Sequence, residues 1–174
     1  MRTAIPAVAF FVLMHGATVL AYEPSPEEHI FIKDRAFVVA LLERGAHAEA
    51  FPFLECMTKR GDTRAQSFLS REYFGKNDLV EAWAWASLVK DADPYSTNIF
   101  LDGIKDRMTE EQLERAKAKS FTYTGSYGPT GTGWLCKATR TGSKVSWFCS
   151  RISGRPHSVS CVDLVTASHA QATE

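Results

Sequence analysis

Residues 61–75 read GDTRAQSFLSREYFG, and residues 78–89 read DLVEAWAWASLV. The first stretch repeats apolar residues at the spacing of one helix face, at Ala65, Phe68, Leu69 and Tyr73. The second does so at i, i+3, i+4 and i+7, at Ala82, Trp85, Ala86 and Val89. Gly75 is suited to end the first helix, and Asp78 can cap the second. The two stretches therefore predict a pair of amphipathic helices joined by a short turn.

Similar helical patterns flank this pair. Upstream, the sequence Ser-Pro-Glu-Glu at residues 25–28 is typical of a capped helix start, and Gly45 is suited to end that helix. A second helix is predicted from about residue 47 to 60, where Pro52 should either kink it or begin it. Downstream, helices are predicted over residues 96–107 and from Thr109, which opens a second capping box. The predicted fold class is mainly α, a short stack of about six helices over residues 22–121.

The character of the chain changes after residue 121. Residues 122–133 are rich in Gly, Thr and Ser, which predicts a linker or an irregular loop. Residues 134–150 are typical of a β-hairpin that turns at Gly142-Ser143, and residues 158–165 could add a third strand. We therefore expect a small disulfide-bearing β tail over residues 134–165, either two- or three-stranded. Residues 166–174 are predicted to be a flexible C-terminus.

Four cysteines, Cys56, Cys136, Cys149 and Cys161, favour two disulfides over a metal site, because no close ligand pair such as CxxC or HxxxH is present. The turn at Gly142-Ser143 would place Cys136 opposite Cys149 in a slot where side chains approach closely. Cys161 would then remain for Cys56. A bridge from Cys149 to Cys161 is the alternative.

The first 21 residues are predicted to be a signal peptide. Arg2 is their only charge, residues 4–13 are almost entirely apolar, and the small residue Ala21 marks a plausible cleavage site. An uncleaved anchor is the rival interpretation. After cleavage we expect an exported protein, periplasmic or secreted, without stable membrane insertion.

Composition argues against several function classes. Lys plus Arg equals Asp plus Glu at 20 each, so no net charge draws the chain toward nucleic acid. The basic residues of the tail would be split between the two faces of the predicted hairpin. No GxSxG, HExxH or phosphate-binding loop occurs, and His29, His47, His157 and His169 have no positioned partner in the sequence. We therefore predict no catalytic residue, no cofactor and no metal.

Residues 46–120 resemble the Sel-one-like repeat family, which is related to tetratricopeptide repeats. The resemblance is carried by Gly-Asp-x-x-Ala-Gln at residues 61–66, by Tyr73 followed by Gly75, and by Met-Thr-x-Glu-Gln at residues 108–112. The loop at residues 75–78 is shorter than the family's usual one. The resemblance implies right-handed stacking of helical pairs and a role in binding a protein partner.

The predicted function is a non-catalytic protein-binding module, such as an adaptor, an inhibitor or an immunity-type binder. Candidate partner-binding residues are the aromatic side chains Trp83, Tyr73 and Phe74, whereas Trp85 lies on the predicted core face. An envelope or secreted hydrolase with a site in residues 122–161 is the alternative. A third possibility is that the tail serves only as a disulfide-locked cap on the helices.

Overall fold

The computed structural model describes residues 25–142, 144–154, 157 and 159–171. Seven of its helices precede a β-hairpin, and an eighth follows it. The first helices are α1 (Pro26–Glu43), α2 (His47–Lys59), α3 (Thr63–Gly75), α4 (Leu79–Val89), α5 (Pro94–Lys105), α6 (Glu110–Tyr127) and α7 (Pro129–Thr132). The hairpin consists of β1 (Trp134–Thr141) and β2 (Lys144–Arg151), and the last helix is α8 (Cys161–Gln171). The mainly α fold with a small β tail is confirmed; the predicted signal peptide lies outside the described residues.

Helix α1 begins with the predicted capping box. The Glu28 backbone N–H donates to Ser25 Oγ at 3.3 Å, and the Ser25 N–H donates to the Glu28 carboxylate at 2.8 Å. The inward face of the helix carries three buried apolar residues and two buried acids, at Phe31, Val38, Leu41, Glu27 and Asp34. Phe37 lies off this face and is 41% exposed, with its ring 5.0 Å from that of Phe53.

Helices α2, α3 and α4 build the main core. Leu54, Met57 and Leu69 are fully buried and pack with Trp85. Pro52 lies inside α2 and does not begin it, so the helix accommodates the lost N–H. Aspartates cap both following helices: Asp62 accepts from the Ala65 N–H at 3.1 Å, and Asp78 plays the same part for α4.

Residues 122–133 are not the predicted irregular linker. Helix α6 continues to Tyr127, and the short helix α7 follows it. The reason is packing: the rings of Tyr123 and Tyr127 lie one helical turn apart, with centroids 4.4 and 5.4 Å from that of Trp85. Gln66 Nε2 also donates to the Tyr127 carbonyl at 2.9 Å. These tertiary contacts outweigh the weak helix propensity of Gly and Thr.

The hairpin has the predicted register. Cys136 pairs with Cys149 across the strands and forms a disulfide with it, and Ala138 pairs with Trp147. The Ala138 N–H donates to the Ala92 carbonyl at 2.8 Å, so the edge of β1 is attached to the turn between α4 and α5.

The chain after the hairpin forms a helix, so the optional third strand at residues 158–165 is wrong for the described residues. Residues 166–171, which were predicted to belong to a flexible C-terminus, are part of this helix. Asp34 of α1 accepts from the Cys161 N–H at 2.7 Å and from the Val162 N–H at 3.4 Å, which satisfies the start of α8. Cys161 is bonded to Cys56 of α2, and the alternative bridge to Cys149 does not form. Among the residues that the structure describes, no helix combines the length and apolar character needed to span a bilayer.

Candidate partner-binding cleft

A cleft of about 280 Å³ lies between the helices and the hairpin, and we call it the hairpin cleft. Its floor is the buried pair Ala86 and Val89 of α4. Helix α3 contributes Ser67, Ser70 and Arg71; α5 and its cap contribute Asp93, Ser96, Thr97 and Phe100; the hairpin contributes Arg140 and Trp147. The cleft therefore exists only when the hairpin is docked on the helical stack.

An ion pair holds the hairpin side of the cleft in place. Asp93, which caps α5, is buried, and Arg140 Nη2 lies 3.0 Å from its Oδ2 and 3.2 Å from its Oδ1. The same guanidinium donates to Ser96 Oγ. Since β1 supplies Arg140 and the start of α5 supplies Asp93, the pair fixes the distance between the hairpin and helix α5.

The opposite side of the cleft carries a second guanidinium. Arg71 of α3 is exposed and lies 5.0 Å from the centroid of the Phe100 ring, in cation–π contact. The ring of Phe100 is supported from behind by Phe74, at a centroid distance of 5.4 Å. No carboxylate of the described residues pairs with Arg71. The hydroxyl of Ser70 donates to the Ser67 carbonyl at 2.8 Å, which leaves its oxygen able to accept.

The lining offers binding groups in a mixed setting: an apolar floor, four hydroxyl side chains, two aromatic rings and two guanidinium groups. Its single carboxylate, Asp93, is already engaged by Arg140, and the lining contains neither a histidine nor a cysteine. A serine nucleophile needs an adjacent base, and none of the four hydroxyl side chains of the cleft has a free base beside it in the lining. Within the described ranges, no three His, Cys, Asp or Glu side chains converge where a metal ion could bind.

The aromatic residues that the sequence suggested do not line this cleft. Tyr73 packs edge-on against Phe51 at 5.3 Å, and burial followed by the nearby acids Glu81, Glu55 and Asp78 raises its pKa to about 12. Trp83 is half-buried and packs against an apolar cluster formed by residues of α4 and α5, such as Ala82 and Leu101. Phe74 acts indirectly, as the support of Phe100.

The residues that do shape the cleft were not singled out from the sequence as a site. Arg71 and Ser96 belong to different helices, and Arg140 belongs to the hairpin. The only sequence signal among them was the Asp before Pro94, a helix-start pattern that would have drawn attention to Asp93. Their convergence depends on how the hairpin docks.

A larger and more open groove, of about 840 Å³, lies between the start of α4 and α6. Its charged groups are largely engaged by the protein itself. Lys119 pairs with Glu81, which also accepts from the Tyr123 hydroxyl at 3.0 Å, and the Lys76 ammonium lies 3.5 Å from the centre of the Phe51 ring. The hairpin cleft is therefore the better candidate for recognition.

Two arginines of the hairpin and three of the histidines make contacts within the protein. Arg140 and Arg151 lie on the helix-facing side of the hairpin and pair with acids, whereas Lys137 and Lys144 lie on the other side, as the split predicted. Burial, followed by the charge of Arg60, lowers the pKa of His157. His47 pairs with Glu72 at 2.9 Å, His29 lies 3.2 Å from the Ser25 carbonyl, and His169 is in α8.

The hairpin cleft can thus hold a small part of a larger partner, because its volume suits one or two side chains and its rim is open. Comparison with known proteins gives no match to any family model, curated protein or solved structure, so the function is inferred from this geometry.

Proposed function

We propose that the protein is an exported, non-catalytic protein-binding module whose binding surface is the hairpin cleft. The observation that carries the proposal is the preorganised lining: a fixed Asp93–Arg140 pair on one side, and an exposed guanidinium on Phe100 on the other. Such a lining, with aromatic and Arg side chains over an apolar floor, is typical of the residues that dominate protein interfaces.

The helical architecture supports the same proposal. Helices α3 and α5 belong to neighbouring helical pairs, and both contribute side chains to the lining of the cleft. This is expected for a stack in which successive repeats form a continuous surface. We further propose that the α3–α4 pair is a Sel-one-like repeat, on the strength of the motifs at residues 61–66 and at Tyr73 and Gly75.

Export to the periplasm or the cell exterior is also part of the proposal. Cys56–Cys161 and Cys136–Cys149 are the kind of bridges that persist in oxidising compartments. The apolar sequence at residues 4–13 supports delivery to such a compartment.

Site-specific photo-cross-linking in the native cell tests the binding surface. A benzophenone amino acid replaces Tyr95, a 70% exposed aromatic residue whose ring lies 5.4 Å from the Arg140 guanidinium at the cleft rim. The matched control replaces Phe121 of α6, which is 84% exposed and does not line the cleft. We expect a discrete cross-linked protein from position 95 and none from position 121.

Two outcomes contradict the proposal. Cross-linking from position 121 alone would place the binding surface on α6. The absence of any adduct from position 95, in cells where the protein is exported and oxidised, would remove the cleft as a binding surface.

A further inference from the structure

Arg71 is a positive charge in the cleft that no carboxylate of the described residues neutralises. The other charged groups of the lining, Asp93 and Arg140, are paired with each other at 3.0 Å. The guanidinium of Arg71 has only the face of Phe100 as a neighbour in the described contacts, 5.0 Å from the ring centroid. A guanidinium stacked in this way keeps its N–H edge available for a carboxylate.

The surroundings of Arg71 suit an incoming carboxylate. Asp93 does not compete strongly for Arg71, because Arg140 already pairs with it. Hydroxyls of Ser67 and Thr97 lie in the same lining and can donate hydrogen bonds to an anionic oxygen. The lining carries a formal charge of +1, from Arg71 and Arg140 against Asp93.

An apolar surface continues from the cleft along α5. Tyr95 and Ile99 are four residues apart and are 70% and 62% exposed, so they form one apolar strip on the helix. Tyr95 lies beside Arg140, with 5.4 Å between the guanidinium and the ring centroid. A partner that reaches the cleft therefore also meets this strip.

We propose that the partner presents an acidic side chain next to an apolar one. The carboxylate would pair with Arg71 inside the cleft, and the apolar side chain would cover Tyr95 and Ile99. This inference rests on the proposed function and names the chemistry of the partner segment. The argument from charge is that Arg71 is the one unpaired cation of the described lining.

Two blocked hexapeptides test this inference on the oxidised full chain. One carries two glutamates beside a leucine, and the other has lysines in place of the glutamates. Titration followed by ¹H–¹⁵N NMR should show binding of the glutamate peptide alone, with shifts at the amides of Arg71, Ser96 and Ile99. Higher salt should weaken binding, because the contact is partly exposed.

Two substitutions then test whether Arg71 is the positive charge that binds the glutamate peptide. We expect Arg71→Glu to weaken binding of the glutamate peptide at least about tenfold, because one charge-assisted contact is lost and a repulsion is added. The same substitution should favour the lysine peptide. Arg64→Glu is the matched control, since Arg64 is an exposed arginine on the same helix whose guanidinium lies 5.8 Å from the Phe68 ring and outside the cleft. It should leave the glutamate peptide's affinity within about twofold.

Equal binding of the two peptides, binding of neither at millimolar concentration, or equal effects of the two substitutions would overturn the inference. A concentration-dependent dimer that masks Arg71 would also overturn it, by making a second copy the occupant. The two proposals fail separately: if Arg71→Glu retains the cross-link from position 95, the proposed function stands and only the inference about Arg71 fails.

Discussion

Glu27 of the first helix and Arg151 of the last strand form an ion pair across 124 positions of sequence, with Arg151 Nε 2.7 Å from Glu27 Oε2. The same carboxylate accepts from the Trp134 indole N–H at 3.3 Å and from the His157 backbone N–H at 2.7 Å. Glu27 is only 6% exposed, so one buried group organises the start of α1, both strands and the segment after them. The tail is thus held by polar contacts in addition to its disulfides.

Replacing Glu27 by glutamine should destabilise the fold by about 2 kcal/mol. Gln keeps an acceptor for the two N–H groups but leaves the Arg151 charge without its partner, and the partial exposure of Arg151 reduces the penalty below that of a fully buried pair. Urea denaturation measures the change. Glu43→Gln, at the exposed end of the same helix, is the control and should be nearly neutral. Equal stability of the two variants would show that the ion pair contributes nothing.

The Glu27 pair should also make stability depend on pH. Burial raises the pKa of Glu27, but the hydrogen bonds from Arg151 and His157 and the charge of Arg151 outweigh it, so the pKa lies below its usual 4.5. A carboxyl with a lowered folded-state pKa stabilises the fold above its unfolded pKa and loses that effect as the pH falls through the folded value.

The stability difference between wild type and Glu27→Gln should therefore be constant above about pH 5 and shrink below about pH 4.5. Denaturation curves across this range measure it. Repeating the comparison in a His157→Asn background separates the carboxylate from the neighbouring imidazole. A difference that grows as the pH falls would contradict the assignment.

Asp34→Ala should loosen helix α8 in particular. The change removes the acceptor of the Cys161 and Val162 N–H groups and leaves them unpaired at a buried helix start, which costs about 1–2 kcal/mol. Hydrogen exchange should become faster at the amides of α8 while those of α4 stay protected. Lys33→Ala, an exposed neighbour on α1, is the control. Uniformly faster exchange in both helices would mean that α8 and the core open as one unit.

The two disulfides should differ in their effect on stability. Replacing both cysteines by serine should cost about 3 kcal/mol for Cys136–Cys149, whose partners are 13 residues apart, and about 4–5 kcal/mol for Cys56–Cys161, with a separation of 105. Guanidinium denaturation compares the variants, and far-UV circular dichroism at zero denaturant should retain helix in both. A larger loss for the shorter loop would indicate that direct contacts in the hairpin dominate.

The sequence predicts those elements whose signals are local. Capping at Ser25 and Asp78 and the apolar spacing around Trp85 were sufficient to identify helices, and the Gly142-Ser143 turn was sufficient to pair Cys136 with Cys149. Helix α5 began two residues earlier than expected, because Pro94 occupies its first turn.

Elements that depend on distant residues were missed. The end of α6 is helical because Tyr123 and Tyr127 pack on Trp85, and α8 is helical although its valines favour strands, because Asp34 and Cys56 hold its start. The hairpin cleft also depends on residues that are distant in the sequence. Arg71 and Arg140 come together only through the docking of the hairpin, which no local pattern encodes.

The Cys56–Cys161 bond closes most of the chain into a covalent ring. One proteolytic cut anywhere between these residues leaves the two pieces attached, and a pulling force applied at the chain ends bypasses the helices from α3 to α7. The part of the molecule that contains the cleft is therefore protected both from a pulling force and from loss of fragments.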